Sequence, residues 1–296
     1  MDYMQHLEPK QGKTNPLTEE RLDSGVDSLK EDEYKQIVED MESLVVSTAV
    51  DEAWKHEVTE DGDTYLHLAV IHEAEVYAEQ IIKQSINDPY LNKQNNQRQT
   101  ALHLAVITEQ PKLVEQLLKA GCDARLLDQN GNTALHIACK KGSLICFSLL
   151  TQINTQHLRS ILAFPNYSGH TCLHIASIYN YLSMVENLVQ LGADINAKEQ
   201  CSGRTSLHLA VDLQNTALVR QLIALGADAN SLTYGGFTPY HLTIGRHSTE
   251  IEQQLYGITA RELRELPDSE SDSESEDDPI SDEDVSFDNF LKSSGH

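Results

Sequence analysis

The chain has 296 residues, with 46 Asp or Glu against 22 Lys or Arg, for a formal charge of −24. That balance disfavours nucleic acid and anionic membrane surfaces and points to a basic protein as partner. Hydrophobic residues make up 40 %, low enough that part of the chain is expected to stay unpacked.

No run of about 18 apolar residues offers a membrane span, and Met1 to His6 hold no apolar core of a secretory signal. The cysteines are Cys122, Cys139, Cys146, Cys172 and Cys201, an odd number without the two-residue spacing of a zinc or redox motif. Reduced thiols of the cytosol or nucleus fit best. Cys139 and Cys146, seven apart in a stretch expected to be helical, read as small core residues.

Residues 1–56 carry 14 acidic and six basic residues and no repeat, so a disordered region is expected there. Within it, Asp23-Ser24-Gly25-Val26-Asp27-Ser28 reads on composition alone as a solvated polar turn. Ile37, Met41, Leu44 and Val46 have the spacing of a leucine-rich export signal, and equally that of a short amphipathic helix lying on the first packed unit.

From residue 57 to 260 one hexapeptide recurs six times. It stands at Thr64 (T-Y-L-H-L-A), Thr100 (T-A-L-H-L-A), Thr133 (T-A-L-H-I-A), Thr171 (T-C-L-H-I-A), Thr205 (T-S-L-H-L-A) and Thr238 (T-P-Y-H-L-T). The steps are 36, 33, 38, 34 and 33 residues. A second signature closes several units, at Ala120-Gly121-Cys122-Asp123, Leu191-Gly192-Ala193-Asp194 and Leu225-Gly226-Ala227-Asp228. This pattern resembles the ankyrin repeat, a turn and two antiparallel helices of about 33 residues. The expected fold is therefore an all-α solenoid of six repeats between acidic tails.

Each motif Thr can cap a first helix. The second helix carries its own apolar stripe, as in Leu113, Val114, Leu117 and Leu118. Gly121, Gly192 and Gly226 supply the left-handed residue that ends it. The excess residues between motifs are expected near 151–163 and, with Pro89, near 86–92, in connections that leave the stack intact. The sixth unit departs most: only there does Pro239 follow the Thr as the ankyrin consensus favours, Thr243 replaces the motif alanine, and the Leu-Gly-Ala-Asp close is missing. It is expected to be loose until a partner binds.

The motif histidines His67, His103, His136, His174, His208 and His241 raise the question of a metal site, since histidine is a common ligand. Units stacked about 10 Å apart would place them in a row that cannot converge on one ion, so a structural role between neighbouring turns is the better reading. No phosphate loop, metalloprotease helix or nucleophile elbow is present, and no enzymatic activity, cofactor or metal is expected.

Residues 261–296 form the last region. From Pro267 to Asp288 it holds 11 acids, six serines and no base, and self-repulsion should keep it unfolded. Ser269, Ser271, Ser273, Ser275 and Ser281, set among acids, suit an acidophilic kinase.

Ahead of ankyrin repeats, D-S-G-V-D-S gains meaning: it resembles the D-S-G-x-x-S phosphodegron of the inhibitors of NF-κB. Glu31-Asp32-Glu33-Tyr34, Thr59-Glu60-Asp61-Gly62-Asp63, Gln94-Asn95-Asn96, Gly169-His170-Thr171-Cys172-Leu173-His174 and Val211-Asp212-Leu213-Gln214-Asn215 are similar to segments of the same family. The resemblance implies phosphorylation at Ser24 and Ser28 by IκB kinase and recognition of that form by an F-box ubiquitin ligase. It also implies ubiquitin on Lys13 or Lys10 and modification at Tyr34. Further, it implies an export receptor on Ile37, Met41, Leu44 and Val46, in a cytoplasmic protein that shuttles to the nucleus.

The partner implied is a Rel dimer, held by one copy of this chain. Asp61 and Asp63 would pair with its basic localisation segment, and Tyr234, Phe237 and Tyr240 would contact its dimerisation domains. Two other readings stay open at this point: a nuclear ankyrin coregulator of Rel factors, and an ankyrin substrate adaptor of a ubiquitin ligase.

Overall fold

Each motif threonine begins a short turn of helix, and the same six-residue pattern joins that turn to the next unit. The computed structural model describes residues 52–246 and 248–265. Lys10, Lys13, Ser24, Ser28, Tyr34, Ile37, Met41, Leu44, Val46, Ser269, Ser271, Ser273, Ser275 and Ser281 lie outside the described residues.

Unit one pairs α1 (Tyr65–Ile71) with α2 (Glu75–Gln84), and unit two pairs α3 (Ala101–Ile107) with α4 (Pro111–Lys119). Unit three holds α5 (Ala134–Lys141), α6 (Leu144–Thr151) and a third helix, α7 (Thr155–Ala163). Units four and five pair α8 (Cys172–Ile178) with α9 (Leu182–Gln190) and α10 (Ser206–Asp212) with α11 (Thr216–Ala224). Unit six ends in α12 (Thr249–Ile258). There is no strand among the described residues.

The first helices form one continuous inner layer in which α1, α3, α5, α8 and α10 pack in chain order. Close approach is possible because the motif alanines Ala69, Ala105, Ala138, Ala176 and Ala210 face the neighbour and are wholly buried. Leu66, Leu102, Leu135, Leu173 and Leu207 fill the space between layers and are at most 1 % exposed. Helices of seven or eight residues are marginal in water, so burial against neighbours stabilises them. The outer helices close as the sequence predicts, with Gly121, Gly192 and Gly226 at φ +99°, +97° and +93°.

The threonine–histidine pair makes the joint between units. In all six units the Thr backbone N–H donates to the His Nδ1 three residues on, at 3.0–3.3 Å. With Nδ1 accepting, the proton sits on Nε2. That N–H donates across to the following unit, from His67 to Gln99 O (3.0 Å), His136 to Phe164 O (3.1 Å), His174 to Ala197 O (3.0 Å) and His208 to Phe237 O (3.1 Å). His103 reaches both Leu126 O and Asn132 O, and His241 reaches Glu265 O. Both nitrogens of every motif ring are thus hydrogen-bonded, Nδ1 within its own unit and Nε2, in the first five units, to the next.

Three details differ from the sequence reading. Cys139 and Cys146 are both fully buried, but they lie on successive helices, α5 and α6, across a turn at Gly142. The excess near 151–163 is itself helical: α7 buries Leu158, Ile161 and Leu162, and α5 packs on α8 beside it, so the inner layer continues unbroken. The sixth unit replaces its first helix with a 3-10 turn at His241–Thr243. Gly245, at φ +76°, occupies the place where Ile71, Ile107 and Ile178 continue the helix, and Tyr240 stands where the other units bury leucine.

Packing also reaches beyond 57–260. Trp54 is buried edge-on against Tyr90 at 5.1 Å, and Lys55 pairs with Asp88 at 2.6 Å. The connection around Pro89 is therefore an anchor that buries Tyr90 and Leu91.

Burial holds the His67, His136, His174 and His208 rings at a pKa of about 4, below the ordinary 6.5. The unfolded chain therefore binds more protons than the folded one between pH 7 and 4, and stability falls as pH falls through that window. Each ring contributes a loss of about 2 kcal/mol at pH 5. Urea unfolding at pH 7 and pH 5 should show a clear drop in midpoint, and an unchanged midpoint would contradict neutral burial of these rings.

Candidate protein-binding surface

Between motifs the chain folds back as a tight finger ending just before each threonine. A side-chain oxygen five residues before the threonine bonds the finger's own amides. Asn95 Oδ1 accepts from Gln97 N (3.1 Å) and Gln99 N (2.8 Å). Asp128 and Asn166 do the same for Asn130 and Asn132, and for Ser168 and His170.

The fifth finger is one residue longer, which accounts for its 34-residue step, and the longer side chain of Glu199 takes over. Glu199 accepts from the N–H groups of Cys201, Ser202 and Arg204 and from the Ser202 hydroxyl. Burial alone would raise its carboxyl, but these donors bring it down to about 2.

Two residues before each threonine the backbone must turn left-handed. Gly62, Gly131, Gly169, Gly203 and Gly236 do so at φ between +73° and +80°, as glycine can at no steric cost. Arg98 holds that place in unit two at φ +57°.

Neighbouring fingers are joined by backbone bonds: Asn96 N to Asp61 O (2.9 Å), Gln129 N to Gln97 O (2.9 Å), Tyr167 N to Asn130 O (3.0 Å), Gln200 N to Gly169 O (3.3 Å) and Tyr234 N to Ser202 O (2.9 Å). The fingers therefore form one bonded row. Two aromatics lie flat on it. Tyr167 rests on Gly131 and Tyr234 on Gly203, where an added Cβ would meet the ring at 2.6 and 2.7 Å. Both rings remain more than 60 % exposed.

The described candidate residues fall at the two ends of this row. Asp61 is exposed on the first finger. Asp63 is half-buried, accepts from Asn95 Nδ2 at 2.9 Å, and has its carboxyl raised by burial against that bond. It lines an open cleft of about 500 Å³ with His56, Val58, Thr59, Tyr65 and Leu68. Tyr234 and Phe237 are exposed on the sixth finger, whereas Tyr240 is half-buried against Tyr256 at 5.8 Å.

The sequence reading missed Arg98 and Tyr167, which lie on the middle of the row. Aligning the six motifs on their threonines exposes Arg98, because every other unit has glycine two residues earlier.

Stacked helix pairs joined through a Thr–His motif, with bonded fingers along one edge, define an ankyrin-repeat solenoid. Family models agree: ankyrin repeats in three copies match residues 37–125 and 106–199, and a single ankyrin repeat matches 202–234. NF-kappa-B inhibitor alpha of Homo sapiens is 50 % identical over 294 residues, covering 96 % of this chain and 93 % of that protein. The Mus musculus protein of the same name is 51 % identical over 271 residues, covering 89 % and 86 %. Among solved structures, the ankyrin repeat domain of Bcl-3, described as a unique member of the IkappaB protein family, matches with TM-score 0.60 and 34 % identity, over 68 % of this chain and 88 % of that one. The chain belongs to the family of NF-kappa-B inhibitors.

The tip geometry predicts opposite signs for two glycine substitutions. Gly131→Ala forces a left-handed alanine against the Tyr167 ring and should cost about 2 kcal/mol. Gly257→Ala, in α12 with open space around it, should stabilise by about 0.5 kcal/mol. Thermal unfolding of both variants checks the pair, and equal shifts would contradict the account of the fingertip.

Proposed function

We propose that this chain inhibits NF-κB/Rel transcription factors by binding the Rel dimer, one copy to one dimer, and so blocks or reverses its binding to DNA. The observation that carries this reading is the 50 % identity with NF-kappa-B inhibitor alpha across 96 % of the chain.

The physical features support it. A charge of −24 complements a dimer that grips DNA with basic loops. An elongated row of fingers offers many weak contacts in series. The first units, with Asp61 and Asp63, would cover the basic localisation segment, and Tyr234, Phe237 and Tyr240 would meet the dimerisation domains. The acidic run from 267 to 288 would then face the DNA-binding loops and compete with phosphate.

Release follows from destruction in this reading. IκB kinase phosphorylates Ser24 and Ser28, adding about −1.5 to −2 charge at each. An F-box ubiquitin ligase recognises that form, and Lys13 or Lys10 takes ubiquitin. Ile37, Met41, Leu44 and Val46 engage an export receptor, so the protein holds its partner in the cytoplasm and retrieves it from the nucleus. Tyr34 and the tail serines Ser269, Ser271, Ser273, Ser275 and Ser281 are further phosphorylation sites in this scheme.

A purified Rel dimer that keeps its localisation segment, bound to a fluorescent DNA site, provides the test. The full chain should release the DNA rapidly, and a chain lacking 267–288 should do so more slowly, with the difference shrinking at high salt. DNA held in a stable ternary complex would overturn the reading in favour of a nuclear coregulator. In cells, Ser24→Ala/Ser28→Ala should persist after stimulation, and normal loss of that variant would overturn the degradation step.

A further inference from the structure

Arg98 is the exception on the finger row. It carries a side chain at the left-handed tip that the other five units give to glycine, a backbone state that is uncommon for such residues. Its guanidinium is exposed and donates from Nη1 to the Tyr167 hydroxyl at 3.2 Å, across 69 residues of sequence. The bond therefore runs from the second finger over the third to the fourth. It is possible because Gly131, at the third tip, has no side chain and leaves the Tyr167 ring room to lie over it. No carboxylate of the described residues lies within ion-pair distance of Arg98.

The chemistry of the pair is directional. Tyr167 Oη accepts from Arg98, so its own O–H is free to donate outward. The guanidinium keeps further N–H groups in the same exposed position. An O–H and a fork of N–H donors side by side suit an oxyanion, and on a protein partner the oxyanion its side chains supply is a carboxylate.

We infer that Arg98 and Tyr167 form a carboxylate-binding site on the finger row that takes an Asp or Glu side chain of the Rel dimer. This rests on the reading of the row as the Rel-binding face, and it adds a specificity contact to it. An array of near-identical units facing a basic partner has little to fix its register. One positive fingertip on an acidic inhibitor marks a single position, because only a partner acid placed opposite it can be satisfied there.

The sign of the effect separates this from general electrostatics. Removing a positive charge from a −24 chain should tighten its complex with a basic dimer. The site requires the opposite. With full-length chains and a purified Rel dimer, Arg98→Gln should weaken Kd roughly tenfold. Tyr167→Phe should weaken it several-fold, and the double variant should be little worse than Arg98→Gln alone. Arg98→Lys keeps the charge but not the fork, and should recover only part of the loss.

Unchanged or tighter binding by Arg98→Gln overturns the site, as do fully additive losses. A lowered melting temperature of free Arg98→Gln with unaltered Kd also overturns it, reducing the pair to a structural clamp. If the unsubstituted chain fails to bind the dimer, the proposed function itself falls, and this site with it.

Discussion

The hydrogen bond from each of the first five motif histidines to a carbonyl of the next unit is the contact on which the rest of the structure depends. Seven-residue helices do not hold together alone, and no unit has a core of its own. The ring solves two problems at once. Its Nδ1 accepts an amide that the start of the helix would leave unpaired, and its Nε2 donates across to the neighbour. Because the acceptor carbonyl lies at the base of the following finger, the same bond that stacks the helices also sets the spacing of the fingers.

That coupling explains why the finger row is regular enough to act as a surface. Adjacent fingers share a backbone bond in each of five junctions, and side chains at equivalent tips point from equivalent backbone. Where one finger is longer, Glu199 replaces the shorter Asp128 or Asn166 and the tip returns to register. Where a unit grows by a whole helix, as at α7, the extra chain is placed away from the inner layer, which passes it without a break. Differences on the row, such as Tyr167, Tyr234 and Arg98, then distinguish otherwise similar positions.

Much of this was legible in the sequence because it is written in strict spacing. The threonine and the histidine three residues on recur in all six units, the buried leucine and alanine in five and the closing glycine in three, and each answers one local demand. The helical state of 155–163 was less legible, since three buried apolar residues in nine fit a short helix or a loop equally well. The loss of the first helix in unit six goes with Tyr240, Thr243 and the left-handed Gly245 together, and none of the three alone marks it in the sequence. Trp54 escaped because it lies before the first motif, and its partner Tyr90 sits in a connection that composition marks as solvent-exposed. The Arg98–Tyr167 contact joins residues two units apart, and no local pattern signals it.

Amide hydrogen exchange on the free chain and on its complex with a Rel dimer tests most directly the claim that this row is the working face. The account predicts slower exchange on binding in the fingers at 59–63, 95–99, 128–132, 166–170, 199–204 and 233–237, with the outer helices α2, α4 and α6 little changed. Slowing confined to those outer helices, with the fingers unaltered, would place the partner on the opposite side of the solenoid and contradict it.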